Sequence, residues 1–237
     1  MQTSVDKSGS FIASQFVGPT ETSARNRSGR TGGPAVTISH QTGAGAHEVA
    51  ERLPGILPEG ELNAIRPWTV LDRQLVELAL KEHHLPAQLA KKMPEDKRSY
   101  VDDILDDLFG LRPPSWILVP QVVETMRRLA ETGHVILIGR GATIVTARLP
   151  NVFHVRLVAS LATRVRRIQA TRDLSAAEAM RFVDKEDRGR QRYVRANFHV
   201  RLEDVSLYHL VINTDHVPFE DAAALIAEGA RRFFRRG

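Results

Sequence analysis

The 237-residue chain has no cysteine. That absence removes disulfides, thiolate metal sites and cysteine nucleophiles, and it is compatible with a reducing cytoplasm. Aromatic residues make up only 6% of the sequence, and the most basic stretch holds just Phe182, Tyr193 and Phe198, a thin supply of stacking platforms for single-stranded nucleic acid. Long apolar runs are missing too. Val135–Ile138 is typical of those present, far below the ~20 residues that span a bilayer, and the N-terminus shows no charged-then-apolar signal pattern. These absences predict a soluble, cytoplasmic protein with no membrane partner.

What is present is ample for one α/β core: 42% of residues are hydrophobic and 26% charged. The net charge of +5 is local in origin, since Arg156 through Arg201 holds twelve Lys/Arg against five Asp/Glu, a net of +7. Such a field suits a polyphosphate, a nucleic acid or an anionic surface, and placement must choose among them. Residues 1–33 are rich in Ser, Thr and Gly and read as a flexible tail, leaving 34–237 as the folded domain. Five short β-branched-rich runs follow, at Ala35–Ser39, Trp68–Leu71, His134–Ile138, Val152–Val158 and Leu207–Asn213. Helical spacing fills the intervals, at Leu75–Glu82, Val119–Glu131, Ala162–Arg172, Ser175–Arg192 and Phe219–Phe234. Alternation of this kind predicts a parallel sheet covered on both faces.

Three places carry chemistry. In TISHQTGAGAHEVAERL, a strand runs into a Gly-rich turn and then a helix; Gly43 and Gly45 would let backbone N–H groups converge on an anion at the helix start near Ala46. The full GxxxxGK[ST] signature is absent, with His40, Ala46 and His47 at its first Gly, Lys and hydroxyl positions, so a plain turn is the alternative. At the ends of the third and second strands, Arg140 between two glycines would hold a phosphate and Asp72 a sugar hydroxyl or metal-bound water. The alternatives are a solvated arginine and a helix N-cap. In the basic stretch, Asp187, Arg190 and Tyr193 share one helical face, and Arg164 and Arg167 share another. Arginines so placed would close over a polyphosphate, or else form a solvated hairpin or a nucleic-acid surface. His83, His84 and Trp116 read as helix-surface and packing residues.

Taken in order, ISHQTGAGAHEVA, VLDRQLVELAL, VILIGRGA, NVFHVRLVASLATRVRRI, DRGRQRY and LYHLVINTD resemble the cytidylate-kinase-like family of P-loop nucleoside monophosphate kinases over nearly all of residues 35–230. The resemblance implies a three-layer P-loop kinase fold with a five-stranded parallel sheet, an acceptor-binding helical insertion at 73–118 and an arginine-rich lid at 171–202. It implies transfer of the ATP γ-phosphoryl group to a CMP-like acceptor with Mg²⁺. Nucleotide binding then falls to Ser39, His40, Gln41, Thr42, Gly43, Ala44, Gly45, Ala46, His47 and Arg164. The acceptor falls to Asp72 and Arg140, and the transfer itself to Arg140, Arg167, Asp187 and Arg190. The chain departs from the pattern where family members carry Arg in place of His40 and His47, and where true cytidylate kinases carry Asp in place of Gly141. No protein-only metal site is expected, because His47 is a poor Mg²⁺ ligand, so the metal would rest on ATP phosphates, water and Asp72 or Glu48. A non-catalytic nucleotide-binding protein and a nucleic-acid-binding regulatory module are the competing readings.

Overall fold

The computed structural model describes residues 32–57, 67–72, 78–79, 115–139 and 141–235. The expected tail up to residue 31, most of the expected insertion at 73–118 with His83 and His84, and Arg140 lie outside the described residues. Strands β1 (Ala35–His40), β2 (Thr69–Leu71), β3 (Val135–Ile138), β4 (Val152–Val158) and β5 (Leu210–Asn213) form one sheet in the order β2-β3-β1-β4-β5, parallel throughout. The helices are α1 (Ala46–Ala50), α2 (Ser115–Thr132), α3 (Ala142–Val145), α4 (Leu161–Arg172), α5 (Ala176–Phe198) and α6 (Phe219–Arg235). This is the expected fold: a parallel sheet between helical layers, with β1 at its centre.

The two-residue period of β1 explains the layering. Val36 and Ile38 pack with Val49 of α1 and with Ala222, Ala223, Ile226, Ala227 and Ala230 of α6. Their neighbour Ala35 packs with Val122, Met126 and Ala130 of α2 and with Ala142 of α3. The small residues along α6 recur at helical spacing and let it approach the sheet closely. β5 starts at Leu210 rather than Leu207, because Asp204 caps the N–H of Ser206 (3.0 Å) and winds Val205–Leu207 into a short 3₁₀ turn.

The basic stretch folds as a helical hairpin. Ser160 caps α4, and a reciprocal Ser175–Glu178 capping box opens α5, so the S-x-x-E spacing fixes where that helix starts. α5 runs to Phe198, beyond the expected Arg192, and ends at His199 in the left-handed region (φ 56°). Val165 and Ile168 of α4 meet Ala179 and Val183 of α5 in a small apolar cluster of their own. That seam orients the polar faces of both helices toward the loop after β1.

Candidate functional site

The loop after β1 turns on two glycines in the left-handed region, Gly43 (φ 78°) and Gly45 (φ 85°). Packing requires them as well. A Cβ on Gly43 would lie 2.7 Å from the Arg164 carbonyl oxygen, and one on Gly45 would lie 2.2 Å from the Phe219 ring. The glycines thus let α4 and α6 seat against the loop, beyond anything owed to a ligand. Ala46 is equally constrained, being 4% exposed in the core beneath α1. Ala44 N–H donates to Gln41 O (3.0 Å) within the turn, while Gln41 is tied to β4 through its own N–H to Leu157 O (3.1 Å) and through Ala159 N–H to its Oε1 (3.0 Å).

Side chains from α4 and α5 converge on this loop. Arg164, 7% exposed, donates Nε to Ala159 O (3.0 Å) and Nη1 to Thr42 O (3.3 Å) and to Asp187 Oδ2 (2.6 Å). Asp187 Oδ1 in turn accepts from Thr42 N–H (2.9 Å) and Thr42 Oγ1 (2.7 Å). A carboxylate of α5 therefore occupies one of the loop N–H groups that an anion would use. Arg167 donates to Gly43 O (3.3 Å), Thr214 Oγ1 (2.9 Å) and Thr214 O (2.7 Å), and its guanidinium lies over Phe219 at 4.6 Å. It joins the loop to the turn after β5.

Arg190 reaches the loop from one helical turn further along α5. Its Nη1 donates to His40 Nε2 (2.8 Å), its Nη2 to Thr42 Oγ1, and Nη2 lies 3.6 Å from Asp187 Oδ1. A guanidinium only donates, so His40 Nε2 is the acceptor and the ring proton sits on Nδ1. The ring is neutral at physiological pH: burial first, then the charges of Arg190, His47 and Arg156, hold its pKa well below the ordinary histidine value. A backbone hydrogen bond to Ile38 opposes that fall without offsetting it, and Arg190 Nε is a buried nitrogen without a hydrogen-bond partner.

A cavity of about 770 Å³ opens over this loop, walled by His40, Thr42, Gly45, Arg167 and Arg190 on the loop and hairpin side. His47, Glu48, Asp72 and Glu186 line it as well. His47 Nε2 lies 3.3 Å from Asp72 Oδ2, the side chain that follows β2 at the carboxyl end of the sheet. Among the described residues no group of three or more His, Asp or Glu side chains is placed to hold a metal ion.

The expected site residues thus separate. His40, Thr42, Gly43, Gly45, Ala46, His47, Asp72, Arg167 and Arg190 line one cavity, and Asp187 and Arg164 brace its loop from behind. Ser39 faces away from α1 and accepts instead from Arg156 Nη1 (2.8 Å). Sequence reasoning passed over Arg156, Thr214 and Tyr208. A usable signal existed for Arg156, an arginine inside the otherwise apolar run VFHVRLV, where a solvated position is not available.

With the geometry in view, comparison with known proteins is specific. The sequence model described as "Cytidylate kinase-like family" matches residues 35–216, well over half of the chain. No curated protein matches significantly. Among solved structures, an uncharacterized protein from Eubacterium ventriosum is similar at TM-score 0.59 and 15% identity, over 84% of this chain and 98% of its own. A shikimate kinase from Bacteroides thetaiotaomicron aligns at TM-score 0.42 and 16% identity, over 86% of this chain and 97% of its own. A shikimate kinase from Acinetobacter baumannii, solved with shikimate, aligns at TM-score 0.44 and 14% identity over 84% and 93%. Among the described residues no helix is long and apolar enough to cross a membrane.

Proposed function

The chain belongs to the cytidylate kinase-like family, and we propose that it is a phosphotransferase moving the γ-phosphoryl group of ATP to a CMP-like nucleoside monophosphate. One observation carries this reading. The loop after β1 and two α4–α5 arginines, Arg167 and Arg190, converge on a single cavity that His40, Thr42, Gly43 and Gly45 also line. Guanidiniums gathered over a Gly-rich strand-to-helix turn suit a phosphate group, whose oxygens accept their N–H donors. A basic surface for nucleic acid would instead need these guanidiniums turned outward along the hairpin.

Each residue then has a task. Arg190 supplies the cation that the loop lacks at Ala46, aimed at charge that spreads over the phosphoryl oxygens during transfer. Neutral His40 accepts from Arg190 and so holds its guanidinium without adding a second positive charge beside it. Arg167 fixes the loop carbonyl of Gly43, and Asp187 with Arg164 fixes Thr42, so the cradle is held before the nucleotide arrives. The donor set fits a nucleotide-borne Mg²⁺: Asp72 and Glu48 are the carboxylates that would join phosphate oxygens and water, whereas the His47 imidazole does not suit this hard ion. When bound, Mg²⁺ would neutralise phosphate charge and align the polyphosphate.

A second reading has its own support. Asp187 already occupies the Thr42 N–H, and no lysine stands at the loop's end, so the site would also serve a protein that binds nucleotide without turnover. A thermal-shift and turnover panel of ATP and GTP against the common nucleoside monophosphates, with and without Mg²⁺, separates the two. A ligand at 100 times its Kd stabilises the fold by about 2.7 kcal/mol. Stabilisation with turnover supports transfer, stabilisation without turnover supports the binding protein, and neither result would remove nucleotide from the site.

A further inference from the structure

One face of α5 serves the cavity, and the opposite face carries a charge pattern of its own. Ala179, Val183, Glu186 and Val194 are buried, and Asp187 and Arg190 reach the loop after β1 from the same side. At about 100° of rotation per residue, Arg181, Lys185, Arg188, Arg192 and Arg195 fall within a stripe about 80° wide on the far side. All of them are exposed. Successive members lie three or four residues apart, so the stripe runs about 21 Å along the helix axis.

Like charges three and four residues apart oppose a helix rather than support it. On other helices acids are interleaved: Glu228 of α6 answers both Arg231 and Arg232, and Glu131 of α2 answers Arg127 at 2.9 Å. Along the α5 stripe, Arg188 has Asp184 at 2.8 Å, and Glu178 bears on Arg181 while bonded to Ser175. Among the described residues no carboxylate pairs with Lys185 or Arg195. The stripe is thus a local excess of positive charge open to an anion from outside the fold. Its cations are different residues from those over the cavity.

Chemistry narrows the anion. A helix lying on a membrane turns large apolar side chains toward it, but the apolar face of α5 is already packed on Val165 and Ile168 of α4, and of its large apolar side chains Met180 is the exposed one. A single strand calls for aromatic rings to stack its bases, yet Tyr193 and Phe198 sit off the stripe and pack edge to face on each other at 6.0 Å. A duplex hides its bases and presents phosphates, one per strand for about every 3.4 Å of axis, so a stripe about 21 Å long meets enough of them to engage every cation on it. Arginine dominates the stripe, and its planar fork donates to two phosphate oxygens at once. We propose that the outer face of α5 is a docking surface for the phosphate backbone of double-stranded nucleic acid, held by Arg181, Lys185, Arg188, Arg192 and Arg195 without regard to base sequence. This surface is independent of the phosphotransferase reading, whose α5 residues lie on the other side of the same helix.

The test follows binding of the full chain to labelled DNA and RNA duplexes of about 20 base pairs by fluorescence anisotropy, over a salt range of about 50 to 200 mM. Wild type should bind, with affinity falling roughly 100-fold across that range, as expected when about four phosphates are neutralised. Preference for one duplex identifies which of the two is the partner. A variant carrying Arg181→Gln, Lys185→Gln and Arg195→Gln together changes exposed positions to a good helix former, so its Tm and its response to ATP should match wild type. Its duplex affinity should fall at least about 10-fold at the lower salt, with a flatter salt dependence. A control variant with Arg127→Gln, Arg148→Gln and Arg232→Gln loses the same charge from exposed positions on other elements, and its binding should change little. The proposal is overturned if wild type binds neither duplex at the lowest salt, if the stripe variant binds as wild type does, or if the control loses as much, which would make net charge the cause. It is equally overturned if a single strand, a glutamate polymer or a vesicle of anionic phospholipid binds the stripe more tightly than a duplex does. Loss of an ATP response in the stripe variant alone would assign these residues to the nucleotide site and overturn it too.

Discussion

Asp187→Ala offers the sharpest check on how the loop is held. The carboxylate has its Oδ2 2.6 Å from Arg164 Nη1 and its Oδ1 on both the N–H and the hydroxyl of Thr42. Arg164 is 7% exposed, so losing its partner strands a charge that cannot return to water without moving α4. Breaking such a buried pair typically costs about 3–5 kcal/mol, and because the Asp187 side chain keeps 21% of its exposure the low end, about 3 kcal/mol, is the appropriate figure. For a domain of this size each kcal/mol moves Tm by roughly 2–4 °C, which gives a drop of about 6–12 °C. Urea denaturation without nucleotide reads the loss as a lower midpoint at an unchanged m-value, and calorimetry reads the Tm. The decisive arm is a double-mutant cycle with Arg164→Met. Once the stranded guanidinium is gone, the Asp187→Ala substitution should cost far less, a coupling of about 2 kcal/mol. A single-variant loss under about 0.5 kcal/mol, or strictly additive effects, would refute the view that Asp187 and Arg164 brace the loop as one charge pair.

Other consequences are equally direct. Arg190→Ala should lower kcat by roughly 100-fold while nucleotide Kd changes far less, and exposed Arg195 on another face of α5 should tolerate Ala; equal kcat in Arg190→Ala and wild type removes Arg190 from the transfer step. Gly45→Ala puts a Cβ into the Phe219 ring at φ 85° and should destabilise by about 2–4 kcal/mol, partly recovered by Phe219→Leu; a well-folded Gly45→Ala with intact stability contradicts the packing role given to that glycine. His154 is pulled down to about 4 from 6.5 by burial and then by the neighbouring His209, so the unfolded chain binds the extra proton between those values. Stability should be full above pH 6.5 and fall as pH drops toward 4. The His154 share is roughly 3 kcal/mol, and His154→Asn, which can still bond Thr37, should flatten the urea-midpoint profile across that window.

The architecture was readable because its signals are local. Alternating β-branched runs and helical spacing placed all five strands, and Ser175 three residues before Glu178 marked the start of α5. The loop was readable in part. Gly43 and Gly45 announced a tight turn, and the three-residue spacing of Asp187 and Arg190 put both on the face that meets it. Their division of labour was not readable, since whether a guanidinium meets a ligand or a protein carbonyl depends on contacts across 124 positions, as between Arg167 and Gly43, or 145, as between Thr42 and Asp187. The packing demand for glycine at position 45 was hidden for the same reason. Phe219, distant in sequence, already fills that space. Arg156 was missed because a lone arginine in a strand run resembles an edge position until the register shows β4 paired on both sides.

The charges of the site divide by what each has already met. Arg164 is paired with Asp187, and Arg167 is held by Gly43 and Thr214, so a large part of each donor set goes to contacts that shape the loop. Arg190 is intermediate: two of its nitrogens touch His40 and Thr42, and the third is buried and unmet. Arg156 has hydroxyls only. Positive charge left unneutralised therefore rises from the bracing helix α4, through Arg190, to the interior strand β4, and the imidazole that accepts from Arg190 is kept neutral by burial and by the positive charges around it. A loop without a lysine at Ala46 is thus still faced by cations. They sit on the elements packed against it. On the phosphotransferase proposal, phosphate affinity would then be coupled to how α5 is seated, where a lysine on the loop itself would bind regardless of that helix.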